Sequence, residues 1–117
     1  MMRIPFNPAA SAVQHFQVLI PGRELLELRL AWNERASAWF IDVSSGGRTI
    51  HGLRLAGNWP LMYEHRALSP ISGDIVALPA SKDAPDRIGY GDLGKSWGLY
   101  WIGPEDIGKW EAAYGMG

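Results

Sequence analysis

The chain contains no cysteine. Disulfide staples, thiolate catalysis and cysteine-based zinc sites are therefore excluded, and the redox compartment is left open. A charge excess of either sign is also missing: eleven Lys and Arg face twelve Asp and Glu, a formal net charge of −1. With no basic surplus to neutralise a phosphate backbone, no nucleic-acid partner is expected. No window approaches the ~20 apolar residues of a membrane-spanning helix, so no membrane partner is expected. Pro5 and Pro8 break the first residues, where there is no long apolar run. A signal peptide is not expected, and the protein should be made and used in a cytoplasm or leave it by a non-secretory route.

What is present suffices for one domain. The 117 residues are 47% hydrophobic and 20% charged, an ordinary globular balance that can bury one core without staples. The strongest pattern lies in the middle of the chain. Leu26, Leu28, Leu30 and Trp32 alternate with Glu27, Arg29, Ala31 and Asn33, the period-2 signature of a strand with one buried face. Residues 33–37 supply turn chemistry without glycine, and Trp39, Ile41 and Val43 restart the alternation on a return strand. Further strands are expected over residues 14–20, 48–55, 74–78 and 97–102, with His51, Leu53 and Leu55 sharing one face of the strand over 48–55. Gly103-Pro104-Glu105-Asp106 reads as a helix start, with proline at the first position and acids in the first turn. The pattern predicts an all-β domain, a small antiparallel barrel or sandwich with a short C-terminal helix. Residues 1–13 read as an irregular arm, and residues 79–95 as a polar loop long enough to be functional or mobile.

No catalytic or metal-binding constellation emerges, so no enzyme activity and no cofactor are expected. Gly89-Tyr90-Gly91-Asp92-Leu93-Gly94 matches G-x-G-x-x-G in letters, but dinucleotide binding needs a strand before it and a helix after it. Here a polar stretch precedes and a tryptophan-rich strand follows, which favours a glycine-rich turn. His15, His51 and His65 sit in different elements with no ligand-pair spacing. Asp83, Asp86 and Asp92 share the long loop, but not with calcium-loop spacing, and Lys82, Arg87 and Lys95 dilute their charge.

Six tryptophans are many for this length. Trp32 and Trp39 belong to the inward faces of the hairpin. Trp59, Trp101 and Trp110 are less easily placed; exposed, they could offer a sugar platform or a protein interface, where Trp and Tyr are enriched. Ile107, Trp110 and Tyr114 recur at helical spacing and form one apolar stripe, either an interface or a cap on the domain's own core.

Taken in order, these segments resemble the phage baseplate plug family, named for the plug of a cyanophage baseplate. The resemblance is carried by the hairpin, by Ile50-His51-Gly52-Leu53-Arg54-Leu55, by Asn58-Trp59-Pro60-Leu61-Met62 and by Gly73-Asp74-Ile75-Val76-Ala77-Leu78. It continues through Asp86-Arg87, Gly91-Asp92-Leu93-Gly94 and Leu99-Tyr100-Trp101-Ile102. It covers about residues 14–107, leaving 1–13 as an N-terminal arm and 108–117 as a tail. The resemblance implies a non-catalytic structural protein on the tail axis of a contractile-tailed phage. It would contact hub, spike and tail-tube proteins in several copies, and be assembled into the virion in the host cytoplasm. A small carbohydrate-binding module using exposed tryptophans is the alternative, and an enzyme of unrecognised type the third.

Overall fold

The computed structural model describes residues 1–6, 12–22 and 24–113, without the side chains of residues 110, 112 and 113. Two antiparallel sheets share one core. The first is a meander in chain order: β2 (Val13–Ile20), β3 (Glu24–Asn33), β4 (Ala38–Ser45) and β5 (Arg48–Arg54). The second is ordered β1 (Met2–Ile4), β7 (Trp97–Ile102), β6 (Asp74–Pro79). A 3-10 helix at Tyr63–Leu68 precedes β6, and the helix α1 (Pro104–Ala113) follows β7. Of the two architectures that the alternation allows, the chain adopts the sandwich.

The central hairpin follows the alternation that predicts it. Leu28 pairs with Val43, Leu30 with Ile41 and Trp32 with Trp39, all from the inward sets. Leu26, Leu28, Leu30, Ile41 and Val43 are fully buried. Removing each such side chain from water is worth about 1.5–3 kcal/mol, and this row fixes the register because a one-residue slip would expose all of it. At the turn, the Asn33 side chain accepts a hydrogen bond from the Ala36 N–H at 3.0 Å. Ser37 closes it in the left-handed region, φ 49°.

Expectation and structure part at two places in the strands. Residues 1–13 contain the strand Met2–Ile4, paired to β7 with Ile4 opposite Leu99, and Ile4 is buried. Proline marked the segment as irregular, yet the three residues before Pro5 are free to pair at a sheet edge. In β5, His51 does not share a face with Leu53. His51 and Gly52 together oppose Asp42, and the register shifts between Ile41 and Val43. Gly52 takes φ 68°, and its N–H donates to the Asp42 carboxylate at 2.7 Å. This bulge turns His51 outward while Leu53 stays in the core.

The sheets are joined along one side. The Leu55 N–H donates to the Trp39 carbonyl, which extends β4's pairing beyond β5. The chain then crosses: Asn58 N–H donates to Ala77 O at 2.8 Å and Leu61 N–H to Ile75 O at 2.7 Å. Gly57 permits this crossing because a Cβ there would lie 2.4 Å from the Trp97 ring. The long loop closes the same end. Its Ile88 and Leu93 are buried, and Tyr90 stacks on Trp39 with centroids 5.7 Å apart. Phe6 and Trp32 complete that aromatic cluster by edge contacts with Trp39.

Candidate interaction surface

The glycine motif in the long loop is a turn that satisfies itself. Asp92 accepts from the Gly89 N–H at 2.7 Å with one carboxylate oxygen and from the Ser96 hydroxyl at 3.2 Å with the other. Leu93 between them points into the core and bridges to Trp97. The nearest regular element downstream is β7, not a helix, so no helix N-terminus meets the loop as a pyrophosphate site requires. The three loop acids do not converge. Among the described residues no group of three His, Asp or Glu side chains is close enough to share a metal ion.

The tryptophans divide into core and surface. Trp101 is 6% exposed, and its indole N–H donates to Ser72 O at 2.9 Å. Trp97 is buried too, donating to Pro85 O at 2.9 Å. Trp59 is the exposed one among the described side chains, at 40%. It meets Tyr63 edge-on, ring planes 68° apart, and Arg66 lies over the other ring with its guanidinium carbon 5.5 Å from the Tyr63 centroid. Crossed rings of this kind give no flat pair on which a sugar could lie.

Of the apolar stripe on the tail, Ile107 is placed. It is 8% exposed and packs on Val76 and Ile102, the outward side chains of β6 and β7. The Trp110 side chain and Tyr114 lie outside the described residues. A second contact holds the helix. Arg66 donates to Asp74 at 2.8 Å and forms an ion pair with Glu111 of α1. Asp74 is wholly buried on β6 and also accepts from the Met62 and Ile75 N–H groups, at 3.0 and 2.7 Å. Burial pushes the Asp74 carboxyl above the usual carboxylate range, against the pull of Arg66 and the two backbone donors. Nothing in the sequence marked this network, because Arg66 belongs to the 3-10 helix at Tyr63–Leu68, which shows no apolar period.

A family model described as the cyanophage baseplate Pam3 plug gp18 matches residues 1–105. The chain belongs to that family. No curated protein matches it. As a member of the plug family it is a phage baseplate component, with its place in the virion and other baseplate proteins as its partners. Among the described residues no helix is long and apolar enough to cross a membrane. The match takes in β1, so the N-terminal segment belongs to the family's common body, while α1 lies almost wholly beyond it.

Proposed function

We propose that the protein is the plug on the tail axis of a contractile-tailed phage, holding the baseplate closed or joined through contacts with hub, spike and tail-tube proteins. Several copies act in each virion, they are assembled in the host cytoplasm, and the protein catalyses no reaction. The observation that carries this reading is the family match over residues 1–105. The chemistry of the chain agrees with it: the buried carboxylate Asp74 is committed to Arg66 and two backbone donors, and Asp92 to its own turn. Electron cryomicroscopy of the tail tip tests it. Density for this sandwich on the tail axis, against hub and spike, is expected; its absence there ends the proposal. The carbohydrate-binding alternative makes an opposite prediction, quenching of tryptophan fluorescence on a glycan panel.

We further propose that Trp110 and Tyr114 contact neighbouring subunits. The isolated Trp110→Ala protein should then melt almost unchanged while incorporation into baseplates weakens by ~2 kcal/mol or more. A large drop in melting temperature would instead assign Trp110 to the domain's own core.

A further inference from the structure

Resting on the plug reading, we infer that one face of the sandwich, centred on Arg54, is the surface that grips a partner, and that it takes a carboxylate from another baseplate protein beside an apolar side chain. Arg54 ends β5, its backbone anchored by the buried neighbours Leu53 and Leu55 and its side chain exposed. It forms the ridge between two hollows. One, about 190 Å³, is lined by Ser37, Arg54, Leu55, Asp86, Arg87 and Ile88 among others. The other, about 220 Å³, is lined by Arg54, Trp59, Leu61, Glu64 and His65 with Gly52 and Leu53.

Four features point to a protein partner bearing an acid. Neither Arg54 nor Arg87 makes an ion pair among the described residues, whereas Arg29 and Arg66 both do. The first hollow holds two guanidiniums and one carboxylate, Asp86, leaving one net positive charge, which suits a single carboxylate better than a phosphate dianion. Its volume holds a side chain or two and falls below the roughly 300 Å³ at which nucleotide- or drug-sized ligands begin to fit. The second hollow offers Trp59, the exposed tryptophan among the described side chains, and Trp and Arg are prominent among the residues that dominate binding energy at protein interfaces. Besides these four, Ser37 in the wall of the first hollow is strained: a serine held at φ 49° costs energy that a glycine would not.

Zero-length carbodiimide coupling reads this contact in the particle itself, because it joins an amine to a carboxylate only where the two touch. Phage carrying Arg54→Lys or Arg87→Lys are grown, their virions coupled, and the joined peptides sequenced. The expected product links position 54 or 87 to an Asp, Glu or C-terminus of a different baseplate protein. Links to Asp86 or Glu64 of the same chain alone would overturn the inference and leave the plug reading intact. Absence of the protein from virions would overturn both. In parallel, Arg54→Glu with Arg87→Glu should fold with an unchanged melting temperature and enter particles about tenfold less or worse. Leu19→Ala, on the outer face of β2, should enter normally. Normal entry of the double variant, or loss confined to the Leu19 variant, would sink the proposal.

Discussion

Asp42 and Asp74 occupy matching places in the two sheets. Each sits on the outer side of a strand, each accepts from backbone N–H, Asp42 from one and Asp74 from two, and each faces an arginine. Asp42, on β4, caps the Gly52 bulge and stands 3.8 Å from Arg29 and 3.5 Å from His51, its side chain 23% exposed. Asp74, on β6, is fully buried and 2.8 Å from Arg66. The difference is what covers them. The meander turns its outer face to solvent, where Leu19 and Leu25 pair at 62% and 46% exposure. The smaller sheet lies under the 3-10 helix and α1, so its outer side chains Val76 and Ile102 form a second core with Ile107. A carboxylate under such a cover must be paired, whereas one in water need not be.

Removing the two acids should separate the faces most sharply. Asp74→Ala strands the Met62 N–H and half of Arg66's pairing in a buried site, and should cost about 3 kcal/mol. Asp42→Ala loosens a bulge that water can reach and should cost about 1 kcal/mol or less. Urea melts of both variants check this. Equal losses would mean that the helical cover does not make the outer face of β6 an interior.

A smaller effect should follow from the cover itself. Ile107→Ala leaves a gap over Val76 and Ile102 and should lower stability by about 2 kcal/mol. Leu25→Ala, on the bare face of β3, should stay within about 0.5 kcal/mol. Thermal melts suffice, and a negligible loss at Ile107 would show that α1 is held mainly by the Arg66–Glu111 pair.

The same contrast explains what could be read from the residues alone. In β3 and β4 one face meets water, so Leu28, Leu30 and Ile41 alternate with polar residues and the register is visible. In β6 and β7 both faces are buried, and Ile75-Val76-Ala77-Leu78 reads as a short apolar run with its faces unassigned. Its ends were legible to within one residue, because Gly73 precedes it and Pro79 is its last residue; the assignment of Val76 outward and Ile75 inward was not. The bulge at His51-Gly52 also escaped, since a glycine in a strand does not say which residue it displaces. The Arg66–Asp74–Glu111 network joins three elements, the last of them far along the chain from the other two, and no local pattern connects them. The family resemblance was legible over residues 14–107, although the match itself begins at residue 1 and takes in β1.

Acid titration should sharpen the comparison through Asp74. Burial raises its folded pKa above the unfolded carboxylate value, so the folded state binds the extra proton between the two values. Its contribution is fully present below the unfolded pKa, near 3.9, and is lost as pH rises through the folded value. Wild-type stability relative to Asp74→Asn should therefore fall as pH rises from about 3 through that window. Denaturant melts at stepped pH read the difference directly, and a difference that grows with pH would refute the assignment.

The smallest effect belongs to the turns that lead out of each region. Ser37 ends the β3–β4 turn at φ 49°, and Asn58 opens the crossing to β6 at φ 61°. Asparagine tolerates the left-handed region, whereas serine has less local compensation there. Releasing Ser37 from that strain is worth about 1 kcal/mol, and the extra freedom of a glycine in the unfolded chain takes back part of it. Ser37→Gly should therefore gain about 0.5 kcal/mol, and Asn58→Gly should gain less. The Ser37 hydroxyl makes only a 3.4 Å contact with Glu34 O, so little is lost with it. A net loss at Ser37 in a urea melt would mean that this contact outweighs the backbone strain, and that the serine stabilises the turn instead of straining it.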